Sequence, residues 1–419
     1  MENANRNPDV LVIGGGIVGA AIADALGGTG TDVLAVDRER FGHGCSYGNA
    51  GWVTPCFAMP LPRPGLFWTA LKWMADPVSP LHIPPRADPL LLEWLTRFMT
   101  AMRNEPFRRG TAALVELSRF SLEKYSELSG EYPGGMDLHR RGLLLIGLTE
   151  DGVEAAHEDM ELMRGLGVPG RALSTEEIRA LDPAITGPLA GGVHFPEEAH
   201  LEPTEAVQAL LSRAESGGAR FMPDTEVIDF EVQGGRIRSV MTTKGWFEPR
   251  EVVLAAGIWS RQLAGRLGIR IPLLGGKGYS MIVEHQDPPL RTPIMVVERK
   301  VAITPHGRRL RLAGTLELVK DDFAVSRRRV ETIRQTSAKL LGLPADCEPK
   351  EVWRGLRPCT PDGLPVIGRP RHIENLVVAT GHQMLGVQTA PATGRLVADL
   401  VLGRTPTFDP APFSPDRFR

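Results

Sequence analysis

The chain has 419 residues, of which 42% are hydrophobic and 23% charged, with a formal net charge of −2 at pH 7. This is the composition of an ordinary soluble globular protein, and the length allows two or three domains, or two interleaved ones. A charge so near neutral gives no reason to expect nucleic acid as a partner. The polar first nine residues do not resemble a signal peptide, and no apolar run is long enough to span a bilayer. The cysteines form no C-x-x-C pair and show no metal spacing, so we expect reduced thiols, no metal site and a cytoplasmic enzyme.

A nucleotide-binding pattern opens the chain. The apolar run Val10 to Ile13 predicts a buried strand, and a helix is predicted from Ala20 to Leu26. The turn between them has the spacing G-x-G-x-x-G, formed by Gly14, Gly16 and Gly19. The first glycine allows the sharp turn, the second lets a pyrophosphate approach the backbone, and the third lets helix and strand pack closely. The helix N-terminus then offers free N–H groups to the phosphates.

A second apolar strand, Val33 to Val36, ends on Asp37, where an acidic side chain meets a ribose 2′-hydroxyl. The acid argues against a 2′-phosphate and therefore against NADP. The alternative is a glycine-rich turn in some other α/β protein, but strand, turn, helix, strand and acid all occur in the expected order. The glycine-rich loop at 41–51 follows directly, which favours contact with the cofactor over a plain surface loop.

Residues 52–110 are rich in proline and aromatic side chains, so only short helices are predicted there. Trp94 and Phe98 lie four residues apart, on the face of a predicted helix that also carries Leu91. We favour an insertion packed on the body of the protein. The alternative is a helix that touches a membrane or a partner protein through residues 60–100.

The remaining pattern alternates helices and strands and divides the chain into two interleaved domains. Predicted helices cover Ala112–Gly130, 150–166, Pro203–Ala214, Val325–Leu341 and about Pro391–Leu402, with a capping box at Ser174. Predicted strands cover Gly142–Gly147, Gly191–Phe195, Glu226–Phe230, Ile237–Thr242, Glu251–Leu254, Ile271–Leu274, Tyr279–Glu284, Ile294–Val297, Leu310–Gly314 and Leu376–Thr380. The arginine run at 327–329 is interpreted as a solvated helix face, and His194 and His200 as structural residues.

The strand at 251–254 ends in Ala255-Ala256-Gly257, small residues that let a ligand sit against a sheet. This strand has the pattern of the first nucleotide-binding unit but comes about two hundred residues after it. The first domain is therefore predicted to be discontinuous in sequence. We assign 1–60, 195–265 and 352–410 to the nucleotide-binding domain. An antiparallel-sheet substrate domain then takes 61–194 and 266–351, with the proline-rich and aromatic-rich insertion near 53–110.

Taken together, the motifs resemble those of the D-amino-acid oxidase superfamily of flavoproteins. The resemblance rests on Gly14–Gly19 with Asp37, on Ala255-Ala256-Gly257 with Trp259-Ser260, on Gly381-His382 with Leu385-Gly386, and most specifically on R-P-x-T-P-D-G-x-P-x-I-G at 357–368. Three further segments are similar to those of bacterial D-amino-acid dehydrogenases: 47–55, Leu71-Lys72-Trp73-Met74 and Gly278-Tyr279-Ser280.

The resemblance implies a mixed α/β fold: a Rossmann-like FAD-binding domain of the glutathione-reductase type, with an α+β second domain. It implies FAD rather than NAD, bound non-covalently because Cys359 lies past the attachment position of related enzymes, near Gly355. The ADP half would lie on the glycine turn, and the isoalloxazine ring between the 48–51 loop and the 381–388 stretch. The expected cofactor-binding residues are Gly14, Gly16, Ile17, Val18, Gly19, Asp37, Arg38, Ser46, Asn49, Ala50, Gly51, Val227, Ala256, Gly257, Trp259, Gly381, His382, Leu385, Gly386, Val387 and Gln388.

Arg357 is the residue we expect to recognise the substrate, because a guanidinium can hold an α-carboxylate by two parallel hydrogen bonds. The alternative is an ion pair with Asp362 or a nearby Glu. Tyr279 is expected as a second donor to that carboxylate. The dipole of the last helix would stabilise negative charge at flavin N1 and the C2 carbonyl, where His382 either assists or serves as a structural histidine.

The reaction implied is oxidative deamination of a D-amino acid to a 2-oxo acid by hydride transfer from Cα to flavin N5, with electrons passed to a quinone or another acceptor. Gln383, Met384 and Val387 stand where dehydrogenases of this group commonly have Gly, Thr and Trp, so D-hydroxyproline or another cyclic secondary amine is an alternative substrate. Further alternatives are a glycine- or sarcosine-type oxidase that uses O2, and a flavin-binding subunit of a larger complex.

Overall fold

The computed structural model describes residues 6–66, 79–131, 135–284, 288–344 and 347–419. Its strands are β1 Val10–Ile13, β2 Val33–Val36, β3 Trp52–Val53, β4 Leu81–His82, β5 Leu143–Gly147, β6 Arg171–Leu173, β7 Gly191–Phe195, β8 Ala199–His200, β9 Arg220–Met222, β10 Val227–Gln233, β11 Arg236–Thr242, β12 Gly245–Phe247, β13 Glu251–Leu254, β14 Leu274–Glu284, β15 Ile294–Val296, β16 Val301–His306, β17 Arg309–Val319, β18 Glu351–Cys359, β19 Val366–Gly368 and β20 Leu376–Thr380. Its α-helices are α1 Ile17–Leu26, α2 Pro89–Ala101, α3 Asn104–Glu131, α4 Glu150–Arg164, α5 Thr175–Leu181, α6 Pro203–Ser216, α7 Ser260–Arg266, α8 Arg327–Leu341 and α9 Gly386–Val401.

The first sheet has six strands in the order β19-β20-β13-β1-β2-β9. All its pairs are parallel except β19 with β20. One face packs on α1, α3 and α9 through side chains such as Ile22, Leu117 and Leu396. The three-stranded sheet β10-β11-β12 covers the other face. The strands are short and apolar on both faces, as parallel strands buried on both sides require.

The second sheet has nine strands, β18-β14-β17-β16-β15-β5-β7-β6 with β4 beside β17. It is mostly antiparallel, but β15 with β5 and β17 with β4 are parallel pairs, so the expected antiparallel sheet is in fact mixed. Because β18 belongs to it, the sheet extends to Cys359, beyond the domain boundary placed at 352. One face packs on α5 and α8 through Ile178, Ile333 and Leu340.

Most predicted elements are confirmed, and the errors lie at their ends. The capping box at Ser174 is present, with both of its reciprocal hydrogen bonds. The last helix begins at Gly386 rather than near Pro391, because proline is accommodated within its second turn. Ile271 precedes the strand that begins at Leu274.

The arginine run of α8 is not wholly a solvated face, and that interpretation is wrong for Arg329. This side chain is buried, donates from Nη1 to the Ser79 carbonyl oxygen at 2.8 Å, and places Nε 3.7 Å from a carboxylate oxygen of Glu317. Its neighbours Arg327 and Arg328 are exposed. Glu317, a buried acid on β17, therefore holds one of the three arginines, Arg329, in the protein interior.

The aromatic face of α2 packs inward. Trp94 is fully buried, its Nε1 donates to the Cys359 carbonyl oxygen at 3.0 Å, and its ring stacks on Phe98 with centroids 5.0 Å apart. Phe67, Trp68, Trp73 and the Leu71–Met74 segment lie outside the described residues. In the part of the chain that is described, no helix is both long and apolar enough to cross a membrane.

A buried carboxyl group, Glu198, lies between β7 and β8. Its Oε1 accepts a hydrogen bond from the Cys56 backbone N–H at 3.0 Å, but Oε2 has no partner within the described ranges. Burial raises the pKa of Glu198 to about 8. The folded protein therefore holds this proton more tightly than the unfolded chain does, and the stabilisation is lost as the pH rises.

We predict that Glu198→Gln removes a pH-dependent loss of stability between about pH 4.5 and 8. Relative to this variant, the wild type should lose up to about 1.4 kcal/mol of unfolding free energy per pH unit in that window. Urea unfolding at pH 5, 6.5 and 8, at one fixed excess of FAD, measures the difference. Parallel stability curves for the two proteins would show that Glu198 is ionised in the folded state.

Candidate functional site: a dinucleotide groove beside an unpaired guanidinium

A groove of about 880 Å³ follows the carboxyl ends of β1, β2 and β13. This is the edge of a parallel sheet where ligands bind, and the volume is at the upper end for ligand sites. Most of the expected cofactor-binding residues line it: Gly14, Gly16, Ile17, Val18, Asp37, Arg38, Ser46, Asn49, Val227, Ala256, Gly257, Trp259, His382, Gly386 and Val387. Gly19, Ala50, Gly51, Gly381, Leu385 and Gln388 are not part of its lining.

The glycine turn is closely packed. Gly14 has φ +115°, and a Cβ there would lie 2.4 Å from the Ala255 carbonyl oxygen. A Cβ on Gly19 would lie only 1.9 Å from the Gly14 carbonyl oxygen, which shows why this glycine is needed without touching the groove. Helix α1 can therefore start directly against the end of β1 and present its N-terminus to the groove.

Two side chains organise the N-terminus of α1. The Ser46 hydroxyl oxygen accepts a hydrogen bond from the Ile17 N–H at 2.9 Å. Asp37 accepts from the Gly15 N–H at 2.6 Å through Oδ2 and from the Glu39 N–H at 2.8 Å through Oδ1. Burial raises the pKa of Asp37, although both of these hydrogen bonds oppose the shift. The carboxylate thus supports the turn as well as lining the groove.

Beyond Asp37 the groove is bordered by a stacked pair, with the Arg38 guanidinium carbon 3.8 Å from the centre of the Trp259 ring. Helix α7 adds Arg261, Gln262 and Arg266, which were not predicted from the sequence. The signal was available, because this helix begins three residues after the small residues at the end of β13. Arg266 lies 3.6 Å from Asp229, so Arg261 is the cation here that suits an anionic ligand.

The far end of the groove is formed by the loop before α9. Gly386, Val387 and Gln388 begin that helix, so their N–H groups have no acceptor within it. Gln383 lines the groove in a left-handed conformation, with φ +53°, while its N–H donates to the Pro358 carbonyl oxygen at 3.2 Å. A helix N-terminus with free amides can stabilise negative charge on a ligand.

His382 is held by α9 rather than presented as an acid. Its Nε2 lies 3.0 Å from the Thr393 hydroxyl, and burial lowers the pKa of His382 to about 3. The ring is therefore neutral near pH 7, which favours the structural alternative. His382 therefore adds no positive charge at this end, whereas the helix amides contribute positive potential.

The side chains of two expected cofactor-binding residues, Gln388 and Asn49, join elements of the fold. Gln388 is buried, its Oε1 accepting from the Thr54 hydroxyl at 3.1 Å and its Nε2 donating to the Ser118 hydroxyl at 2.9 Å. Its side chain is thus fully used inside the protein and does not reach the groove. Asn49 does line the groove, and its Nδ2 donates to the Met384 carbonyl oxygen at 3.0 Å, which links the two loops expected to flank the ring.

Arg357 lies on β18, next to two residues that line the groove, Pro358 and Cys45. It donates from Nη1 to the Thr315 carbonyl oxygen at 2.7 Å. Among the described residues, its guanidinium has no other acceptor and no carboxylate within ion-pairing distance. Asp362, the expected alternative partner, is paired with Arg417 instead, at 2.6 Å. Burial lowers the pKa of Arg357, so a desolvated cation stands beside the groove with spare donors.

Tyr279 is on the wrong side of the sheet to act with Arg357, which corrects the sequence-based expectation. In the antiparallel pair of β14 and β18, Gly276 pairs with Arg357 and Tyr279 with Arg354, so the two side chains point to opposite faces. Tyr279 is fully buried, and its hydroxyl donates to Glu317 Oε1 at 2.5 Å. Burial and that carboxylate raise the pKa of Tyr279 far above its ordinary value.

The four cysteines are free thiols. The Cys359 thiol is buried in the cluster that contains Trp94, and burial raises its pKa to about 12. Cys45 borders the groove, donates to the Leu356 carbonyl oxygen at 2.8 Å and has a pKa raised to about 11 by burial. Thiols that stay protonated are poor nucleophiles. Within the described ranges, no group of three His, Cys, Asp or Glu side chains could hold a metal ion.

Comparison with known proteins gives one consistent picture. The profile of the DAO family, described as FAD dependent oxidoreductase, matches residues 9–400. A D-amino acid dehydrogenase of Bradyrhizobium diazoefficiens is 32% identical over 415 residues, covering 98% of both chains. One of Chromohalobacter salexigens is 34% identical, covering 98% of this chain and 99% of its own. Glycine oxidase from Geobacillus kaustophilus has a similar structure, with a TM-score of 0.78, 27% identity and coverage of 97% of this chain and 98% of its own.

We predict that Gly19→Ala disrupts the groove although the residue does not line it. The added methyl must push α1 away from β1, at a cost of about 1–3 kcal/mol of unfolding free energy. The purified variant should carry much less flavin, measured as the ratio of flavin to protein absorbance after incubation with excess FAD. Gly130→Ala, a helix glycine with nothing within 4 Å of the new Cβ, is the matched control. Equal flavin content in the two variants would contradict the packing argument.

Proposed function

Since the chain belongs to the DAO family of FAD-dependent oxidoreductases, we propose that it is a D-amino-acid dehydrogenase. The reaction is oxidation of a D-amino acid at Cα to the imino acid, which water hydrolyses to a 2-oxo acid and ammonia. The alternatives considered from sequence receive less support, because the relatives reported at 32% and 34% identity over nearly the whole chain are D-amino acid dehydrogenases.

The observation that carries the proposal is the unpaired guanidinium of Arg357. Arg357 is half-buried, so its charge is partly withdrawn from water without a carboxylate partner, and a ligand carboxylate would compensate this cost. Its spare N–H donors can hold an α-carboxylate by two charge-assisted hydrogen bonds. Asp362, the nearest carboxylate in sequence, is paired with Arg417, so Arg357 keeps spare donors beside the groove.

FAD supplies the two-electron chemistry when bound. The groove fits a dinucleotide, because a glycine turn and a helix N-terminus meet at one end and free helix amides at the other. Gly14, Gly16 and Ser46 would then hold the pyrophosphate side, and Asp37 the ribose. Val227 would offer its backbone to the adenine. The amides of Gly386 and Val387 would face the ring end, without covalent attachment to a cysteine.

The protein's own part in catalysis is orientation. Arg357 would fix the carboxylate, so that the Cα–H bond of a substrate with a neutral amine has one position relative to the groove. No general base is required by this scheme, and His382 supplies none, because burial lowers its pKa to about 3 and makes it a poor proton acceptor. We also propose that the six-stranded sheet carries the cofactor and the nine-stranded sheet the substrate.

A quinone or another carrier is the proposed electron acceptor, in a cytoplasmic enzyme. A more specific proposal for its location is peripheral contact with a membrane surface through residues 60–100. The apolar side chains of α2 that would make it are Leu92 and Met99, which are 70% and 56% exposed. The inward packing of Leu91 and Trp94 supports the packed insertion instead.

We predict that Arg357→Ala lowers kcat/KM for D-alanine by about 100-fold, equivalent to about 2.7 kcal/mol, while FAD stays bound. Arg357→Lys should recover only part of the loss, because an ammonium cannot form the two-pronged contact. Steady-state kinetics with an artificial acceptor measure the effect.

The matched control is Arg354→Ala, three residues away on the same strand. Arg354 points to the other face and donates to the Phe323 carbonyl oxygen at 2.9 Å. Its removal should leave KM nearly unchanged. Unaltered kinetics in Arg357→Ala would remove this arginine from the substrate site.

We predict that D-alanine bleaches the flavin under anaerobic conditions faster than L-alanine, glycine, sarcosine or D-hydroxyproline does. Oxygen uptake should be slow without an added acceptor. Rapid uptake with hydrogen peroxide would identify an oxidase, and faster bleaching by D-hydroxyproline would move the substrate to cyclic secondary amines. A flavin that no amino acid bleaches would indicate a non-catalytic subunit.

A further inference from the structure

We propose that Gly278 and Thr315 are positioning residues that together form a seat for the guanidinium of Arg357. The inference rests on the proposed function, because it assumes that Arg357 holds the substrate carboxylate. Neither residue lines the groove. Both act through Arg357: Gly278 lies beneath the plane of its guanidinium, and the Thr315 carbonyl group contacts the edge of that group.

Gly278 provides the surface on which the guanidinium lies. A Cβ built on Gly278 would stand 2.2 Å from Nη1, 2.3 Å from Cζ and 2.3 Å from Nη2 of Arg357. Three near-equal distances mean that the planar group lies over this one position. Any side chain at 278 must therefore lift or turn the guanidinium. Its partner on β18 is also a glycine, Gly355, but there the Trp353 ring fills the space that a Cβ would take, so the open position under the guanidinium is that of Gly278.

Thr315 fixes the edge of the guanidinium by accepting the Nη1 hydrogen bond at 2.7 Å. Its backbone has φ +65°, an unusual conformation for a β-branched residue. The strand pairing explains how this arises. Lys277 pairs with Glu317 and Tyr279 with Gly314, so Gly278 alone faces two residues of β17. That arrangement is a β-bulge, and bulges redirect backbone groups beside active sites.

The β-bulge in β17 and the absence of a side chain at Gly278 therefore act together to position Arg357. The bulge is held from the other side, where the Leu316 N–H donates to the Pro80 carbonyl oxygen at 2.7 Å. The Thr315 carbonyl group can then face Arg357. Since one N–H of Arg357 is committed to this carbonyl and the group rests on Gly278, its remaining donors have a fixed direction. The Arg357 side chain is therefore already ordered, so it loses little further conformational entropy when it binds a substrate carboxylate.

The test is Gly278→Ala, with Gly275→Ala as the matched control on the same strand. A Cβ on Gly275 faces Leu356 and the Val319 carbonyl oxygen, at 3.2–3.4 Å, on the side away from Arg357. Gly278→Ala should lower kcat/KM for D-alanine by about 100-fold, mainly through KM, with flavin content unchanged. Its dissociation constant for benzoate, a carboxylate without an α-amine, followed by flavin absorbance, should rise in parallel. Gly275→Ala should leave both values near those of the wild type.

Thr315→Gly probes the second contact without adding atoms. It keeps the backbone carbonyl group that accepts the Arg357 hydrogen bond and removes the strain of the left-handed conformation, so the thermal midpoint should not fall, and KM and the benzoate dissociation constant should stay near those of the wild type. A clear rise in KM would show that the Thr315 side chain and not its carbonyl group acts on the arginine, and would overturn its part of the proposal.

The double variant Gly278→Ala, Arg357→Ala separates this inference from the proposed function. If the seat acts through Arg357, adding Gly278→Ala to Arg357→Ala should cause no further loss. A full additional loss would show that Gly278 acts independently and would overturn the seat, leaving the proposed function intact. If Arg357→Ala alone changes neither KM nor benzoate binding, Arg357 does not bind the substrate carboxylate. The proposed role of Arg357 is then rejected, and the inference about Gly278 and Thr315 is rejected with it.

Discussion

The arrangement of the site depends on one contact between the two sheets. The segment at 45–54 lies on the face of the nine-stranded sheet that carries Arg357, and hydrogen bonds to that sheet hold it there. Arg311 donates to the Tyr47 carbonyl oxygen at 2.9 Å, the Thr304 hydroxyl to that of Ala50 at 2.8 Å, and the Cys45 thiol to that of Leu356. The same segment supplies Ser46 to the glycine turn. The groove and the Arg357 guanidinium are therefore held at a fixed position relative to each other.

The local nucleotide-binding pattern could be read from sequence because each of its residues answers a local demand. Gly14 and Gly19 are required by contacts within the turn, and the helix and strands around them follow short-range periodicity. The error at Tyr279 has a different origin. Its face is set by pairing with strand residues 35 and 75 positions away, and neighbouring residues of a strand point to opposite faces, so proximity in sequence to Gly278 was misleading.

The helix boundary before α9 and the burial of Arg329 were missed for related reasons. Pro391 is usually a reason to begin a helix later, yet here it stands inside the helix, and the Val387 carbonyl oxygen that its missing N–H leaves unbonded accepts a hydrogen bond from the Tyr125 hydroxyl at 2.9 Å. Arg329 is buried because Glu317 and the Ser79 carbonyl group face it from other elements. A periodicity within one helix contains no information about partners on another strand.

Backbone strain marks the site in a way that composition does not. Non-glycine residues with positive φ include Thr315 and Gln383, and these two flank Arg357 and the groove respectively. Each costs about 1–3 kcal/mol, which a local sequence preference cannot supply. The cost is met by long-range contacts: the bulge is held by Pro80, and the Gln383 N–H by Pro358. Both contacts join elements distant in sequence, so the strain can persist only in the assembled fold, and the geometry of the site is a consequence of tertiary packing.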